Sequence, residues 1–322
     1  MQSLRSRLLY HVVRYQLAKL ARRNLPLPEY RLARDAAAQR LFRMPASIQV
    51  EGGRVAGCAV EWLRPELPLG PGVLLYLHGG AYTGGSCTTH RALASRLGLA
   101  ARHTTLLLDY RLAPEHPFPA ALDDAVAVYQ QLRQTDPATP IALAGDSAGA
   151  GLALSLAIRL RELGAATPAA LALMSPWTDL ALTHATHQSK ASVDPYFPST
   201  ARLENAARLY AADTPLQHPL VSPHYAQLHG LPETLIHVGE REALLDDSLV
   251  LAQRMNAQGC KARVQIFPGM WHVWQTLGAR MPEADRSIAG LGDFLLRRLA
   301  PQRCRGSSPL PADCLLDARL NW

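Results

Sequence analysis

Cysteine is scarce and unpaired in this sequence: five residues in 322, at positions 58, 87, 260, 304 and 314, with no CxxC spacing. An odd count in a chain long enough to bury a core without covalent staples argues against a disulfide scaffold and for a reducing compartment. Also missing is any run of eighteen apolar residues, so no membrane-spanning helix is expected. Leu8 to Val13 begins an apolar run, but Arg14 and Lys19 interrupt it before a secretory core of adequate length forms. The expected localisation is cytoplasmic. Charged residues are only 18% against 48% hydrophobic, which excludes a disordered or fibrous chain and favours one large core with decorations.

Acidic residues are nearly absent from the first 45 positions. Ten Arg and Lys side chains there face only Glu29 and Asp35, a balance of +8. The chain as a whole carries +7, so the remainder is close to neutral. A basic leader on a neutral body, without RNP, zinc-finger or Cys/His ligand spacing, argues against a nucleic-acid face and against a metal site. Leu9, Val13, Leu17 and Leu20 are spaced as one face of a helix over residues 3–23, ended by Pro26 and Pro28. That stripe predicts packing on the protein's own core; a weak contact with an anionic membrane surface is the alternative.

From residue 46 to 300, strand-like and helix-like windows alternate. The strand runs are 47–50, 57–63, 73–78, 105–109, 141–145, 170–175, 235–239 and 263–267; the helical windows are 91–101, 120–133, 148–163, 244–258 and 283–299. Nearly continuous apolar strands separated by helices predict an α/β fold with a mostly parallel sheet. Glu51, Gly52 and Gly53 suggest a hairpin between the first two strands. Residues from about 180 to 230 break the alternation and predict a functional insertion with one helix over 201–212, and residues 301–322 read as a C-terminal extension. An edge strand near the C terminus leaves a homodimer open.

Gly145-Asp146-Ser147-Ala148-Gly149 follows the apolar run from Ile141 and opens a helix rich in small residues. A serine nucleophile on a tight strand-to-helix turn needs this setting, because only small neighbours fit there. His78-Gly79-Gly80-Ala81-Tyr82, after an earlier strand, offers amides for an oxyanion; Gly79 and Gly80 with Ala148 are the expected donors. Asp146 reads as a structural residue of the turn that bonds to this loop.

With Asp109-Tyr110-Arg111-Leu112-Ala113-Pro114-Glu115, Ser175-Pro176-Trp177-Thr178-Asp179-Leu180 and Pro268-Gly269-Met270-Trp271-His272, these blocks resemble, in order, the hormone-sensitive-lipase-like family of α/β-hydrolase esterases. The similarity spans about residues 45 to 300. It implies a helical cap, built from the N-terminal segment 1–45 and the insertion, and hydrolysis of carboxylic esters without a cofactor. His272, on a loop after the last strand, is the expected general base. The family usually carries Asp-x-Leu-x-Asp after the seventh strand, where this chain has Glu242-Ala243-Leu244-Leu245-Asp246-Asp247. Register favours Glu242 as the acid, with Asp246, Glu240 and Asp247 as alternatives. Tyr82, Trp177, Trp271 and Trp274 flank the catalytic blocks and are candidates for an apolar pocket or for ordinary core; Cys87 reads as an incidental small hydrophobe.

The expected function is therefore a serine carboxylesterase for short- to medium-chain acyl esters. A lactone hydrolase or acetyl-ester deacetylase would use the same triad, and a non-catalytic ligand-binding scaffold is the reading from another class.

Overall fold

The computed structural model describes residues 2–300 except 69 and 71; the segment 301–322 lies outside the described residues. Eight strands form one sheet in the order β1-β2-β4-β3-β5-β6-β7-β8, from β1 (Ile48–Val55), β2 (Cys58–Pro65), β3 (Val73–Leu77), β4 (Thr104–Asp109), β5 (Ile141–Asp146), β6 (Leu171–Met174), β7 (Thr234–Gly239) and β8 (Ala262–Phe267). β1 and β2 pair antiparallel, as do β2 and β4, and the remaining pairs are parallel. The hairpin does not turn at its glycine pair. Gly52 and Gly53 lie inside β1, and the chain reverses at Ala56 and Gly57, whose φ values of 50° and 81° suit a two-residue turn matched to strand twist.

The parallel strands are apolar throughout because both faces are covered. Along β3, Leu75 and Leu77 enter one core with α4 (Ala120–Thr135) and α5 (Ala148–Glu162), while Leu74 and Tyr76 enter a second with α3 (Cys87–Ala101) and α9 (Pro282–Leu299). This is the two-residue period of a strand expressed on two buried sides. α8 (Leu245–Ala257) packs on the first side through Leu251 and Met255.

Two helices precede the sheet, where one was expected. α1 (Leu4–Arg22) and α2 (Leu27–Leu41) are separated by the turn that contains Pro26, and Pro28 sits in the first turn of α2, where a missing N–H breaks no intrahelical bond. The prolines thus end one helix and begin the next. α1 is anchored at its start: the Ser3 N–H donates to Glu283 Oε1 at 2.6 Å, and the Ser3 and Ser6 hydroxyls bond to Glu283 Oε2. Leu9, Tyr10 and Val13 pack on a third small core with Phe267 and Trp271. The opposite face leaves Leu4, Leu8, Val12 and Tyr15 exposed. The insertion contributes a short helix α6 (Ala185–Ser189) and α7 (Ala201–Ala211). None of the described helices is long and apolar enough to cross a membrane.

Candidate active site

β5 runs directly into α5 through Ser147, which caps the helix at φ 55° and ψ −124°. A non-glycine residue in this region is strained and persists only where its surroundings hold it. Here the Ser147 N–H donates to Met174 O on the neighbouring strand at 2.9 Å. Close packing then fixes the neighbours' size. A Cβ at Gly149 would come within 2.1 Å of Leu77 O, so the helix can approach β3 only with glycine at that position. The hydroxyl is thereby held at the C-terminal edge of the sheet.

Two further loops at that edge complete a hydrogen-bonded chain. His272, five residues beyond β8, places Nε2 2.9 Å from Ser147 Oγ, and its Nδ1 lies 3.0 Å from Glu242 Oε2. Glu242 is fully buried, and its Oε1 accepts from Ser175 Oγ at 2.7 Å and from the Gly239 N–H at 2.6 Å. Both carboxylate oxygens are therefore assigned, one to the backbone frame and one to the imidazole. Burial works against a charged His272, but the bonded Glu242 carboxylate, reinforced by Asp194 and Asp146, holds its pKa above the ordinary histidine value.

The other carboxylates weighed for this position are engaged elsewhere. Glu240 accepts from the Gly269 N–H, Asp246 from the Thr186 N–H, and Asp247 from the Thr178 and Asp179 amides and from His187. Asp194, from the insertion, was not singled out in the sequence. It is buried, accepts from the Ala243 and Tyr196 amides at 3.0 Å, and is pushed up to about 6 by burial, the His272 charge pulling the other way.

The glycine loop requires one correction. The Gly79 N–H donates to Asp146 Oδ1 at 3.1 Å, so Gly79 is not a free donor. The amides of Gly80, Ala81 and Ala148 have no protein acceptor among the described residues, and all three residues adjoin or line the space around Ser147 Oγ. Residue identity marked the loop, whereas peptide orientation decides which of its amides are unengaged, one position later. Asp146 acts as the loop's buttress: Oδ1 also accepts from Tyr76 Oη at 2.6 Å, and His90 Nε2 lies 3.3 Å from Oδ2. Burial would raise the Asp146 pKa, but His90 and these bonds hold it below the usual carboxylate range. Tyr110 Oη donates to His78 O at 2.6 Å, and Arg31 Nε to Thr83 O at 2.8 Å, which ties α2 to the same loop.

Ser147 and His272 open into a cavity of about 500 Å³ whose walls come from α1, α2, α7 and the glycine loop. Of the two readings of the aromatic candidates, the pocket is corrected and ordinary core holds, because none of the four lines the cavity. Tyr82 stacks on Tyr210 with centroids 3.7 Å apart, Trp271 meets Tyr10, and Trp274 meets Phe267; with Trp177 they are all at most 1% exposed. The helices and loops covering this end of the sheet turn a rim position into interior. The cavity's aromatic side chains are instead Tyr30 of α2 and Tyr196 and Phe197 of the insertion, the latter two with ring centroids 5.7 and 4.8 Å from that of His272. An aromatic pair bracketed by Pro195 and Pro198 in a polar stretch was the available sequence signal. Cys87 is buried and burial pushes its thiol far above the ordinary range, so it is no nucleophile. No group of three or more His, Cys, Asp or Glu among the described residues is arranged to hold a metal ion.

Comparison with known proteins gives the same architecture. A family model described as the α/β-hydrolase fold matches residues 74–276. An acetyl-hydrolase of Streptomyces hygroscopicus is 45% identical over 242 residues, covering 75% of this chain and 80% of the relative. An esterase of Acinetobacter venetianus is 35% identical over 256 residues, covering 79% and 84%. Among solved structures, a hormone-sensitive lipase from a metagenome library superposes with a TM-score of 0.88 at 36% identity, covering 93% of this chain and 99% of that one. An esterase of the bacterial hormone-sensitive lipase family gives 0.85 at 38% identity, covering 90% and 98%. With strand order, nucleophile turn and relatives in agreement, the chain belongs to the α/β-hydrolase fold family, among the hormone-sensitive-lipase-like esterases.

Proposed function

We propose that the protein is a serine carboxylesterase that cleaves short- to medium-chain acyl esters through an acyl-enzyme. The observation that carries this reading is the unbroken chain from Glu242 Oε2 through His272 to Ser147 Oγ, opening on a cavity beside three unengaged amides. His272 Nε2 accepts the serine proton as Oγ bonds to the ester carbonyl carbon, and the oxygen's new negative charge falls to the amides of Gly80, Ala81 and Ala148. Glu242 stabilises the imidazolium and fixes its tautomer. On collapse, the C–O bond to the alcohol breaks and His272 returns the proton to the leaving alkoxide. Water, deprotonated by His272, then attacks the acyl carbon, and the acid leaves as Oγ regains its proton.

Initial rates on 4-nitrophenyl esters of increasing acyl length test this. Hydrolysis concentrated on the shorter chains, and reduced at least about a thousandfold in Ser147→Ala with unchanged circular dichroism, is the expected result. A folded wild type without turnover would overturn it. The Streptomyces relative's name, acetyl-hydrolase, favours including acetyl esters, and lactones would use the same residues. Basic residues beside the exposed Leu4, Leu8, Val12 and Tyr15 favour weak docking on anionic lipid, which co-sedimentation of the full chain and one lacking residues 1–23 would resolve. Among the described residues β8 ends the sheet with one edge unpaired, which favours a homodimer; a monomeric mass in solution would remove that reading.

A further inference from the structure

Three arginines line the cavity that holds Ser147 and His272, and they differ in what answers their charge. Arg31 is fully matched: its Nη1 and Nη2 meet the two oxygens of Glu115 at 2.8 Å, and it also donates to Thr83 O and Ala113 O. Arg34, one turn along α2, and Arg202, in the first turn of α7, have no carboxylate partner among the described residues. Each donates one bond to the same atom, Tyr30 Oη, at 3.4 and 2.9 Å. Their guanidinium carbons lie 6.0 and 5.7 Å from that ring's centroid. A guanidinium carries five N–H donors, so among the described residues each side chain keeps four without a protein acceptor.

Against the cost of burial, Arg34 is favoured as a cation by the nearby Tyr30, Tyr196 and Asp146, but no ion pair holds either guanidinium among the described residues. Among the described residues, the only acidic side chain lining the cavity is Asp146, which lies under the glycine loop and is already bonded to Tyr76 and Gly79. Two like charges from separate helices therefore converge on one neutral phenol, in the chamber where the ester must lie. Such charges repel one another; Arg34 is half-buried and Arg202 exposed, so both present N–H groups that an anion entering the chamber can take up. The phenol itself reports their field: burial works against its ionisation, yet Arg34 and Arg202 together bring its pKa below the ordinary value. Asn205, one turn beyond Arg202, faces the same space with a neutral amide.

We propose that Arg34 and Arg202 form an anion subsite and that the preferred substrate is an ester bearing a carboxylate on its acyl or its alcohol half. The planar forks of two arginines suit a carboxylate, which accepts several N–H bonds at once. This inference rests on the esterase reading above and goes beyond it by naming the substrate class.

Two matched pairs of esters test it at low ionic strength. Monomethyl adipate against the methyl ester of adipamic acid places the charge on the acyl side; 4-acetoxybenzoate against 4-acetoxybenzamide places it on the alcohol side. Wild type is expected to favour the carboxylate over its amide partner about tenfold or more in kcat/KM in one pair, mainly through KM, with the preference shrinking as salt rises. Arg34→Gln and Arg202→Gln should each reduce that ratio about tenfold, the double substitution should abolish it, and Arg34→Lys should keep part of it. Because the ratio is internal, a variant that folds poorly slows both members alike and leaves it unchanged. Turnover of the amides without preference for either carboxylate, or a preference that survives the double substitution, would overturn the subsite while leaving the esterase reading intact. No turnover of any of the four would overturn both.

Discussion

Replacing Glu242 by glutamine changes one atom and should reverse the proton arrangement of the triad. The Gly239 N–H and Ser175 Oγ both direct hydrogens at Oε1. A glutamine must keep its carbonyl oxygen there, since an amide nitrogen would oppose the Gly239 N–H at 2.6 Å. Its NH2 group is then forced to face His272 Nδ1, where Glu242 Oε2 now stands at 3.0 Å. The imidazole can accept from that group only in the other tautomer, with its hydrogen on Nε2 facing Ser147 Oγ, and a nitrogen bearing hydrogen cannot take the serine's proton. Loss of the right tautomer in a serine triad lowers kcat by about 10⁴, and at 1.36 kcal/mol per decade this is about 5 kcal/mol of transition-state stabilisation. Glu242→Asp should fall between, because retracting the carboxylate by about 1.5 Å releases either the imidazole or the backbone frame. The assay is kcat on a short acyl ester, with thermal melting to show that the fold remains. A folded glutamine variant that loses less than tenfold would refute the reasoning and remove Glu242 from the triad.

The acid limb of kcat/KM should lie above the ordinary histidine value, since Glu242 and Asp194 favour the imidazolium and the base must be neutral to act; Asp194→Asn should move that limb to lower pH in a rate–pH profile. Stability from a histidine so shifted runs the opposite way, being full below its unfolded value and lost as pH rises through the folded one. Gly80→Ala should lower kcat about 10²- to 10³-fold without unfolding, because φ is 130° and a Cβ would sit 2.1 Å from Gly84 O, displacing the donor loop; steady-state kinetics with circular dichroism checks this. Glu283→Ala removes the anchor of α1 and should speed tryptic cleavage at Arg5 to Arg23 without greatly changing the core's melting temperature. The Glu283 pKa is lowered, its serine partners outweighing burial, so the anchor's contribution is present above the ordinary glutamate range and is lost as pH falls through the folded value.

Much of the sheet was legible because its strands are buried on both faces, so the apolar runs from Val73, Ile141 and Leu171 stood out without periodicity. The nucleophile turn was legible because sterics admit few residue types around Ser147. Less could be read where backbone direction decides the outcome. Gly79 and Gly80 are indistinguishable as letters, yet one amide faces Asp146 and the other is unengaged. The glycine pair at 52 and 53 suggested a turn for the same reason and proved to be strand. α2 escaped notice because it buries only Ala38 fully and has little apolar periodicity. Asp194, Arg34 and Arg202 gain their setting only when distant segments meet, which no local pattern announces.

Leu17, Leu20, Leu25, Tyr30 and Arg34 all lie in the cavity wall, and all precede residue 74, where the match to the family model begins. Part of the chamber that receives the substrate is thus written outside the stretch that carries the reacting groups, while Tyr196, Phe197 and Arg202 of the same wall lie inside it. Sequence drift in the first 45 residues can alter which ester is admitted without disturbing the strand, turn and helix that hold Ser147. The family match therefore covers the hydrogen-bonded chain of Ser147, His272 and Glu242 in full and the chamber wall only in part.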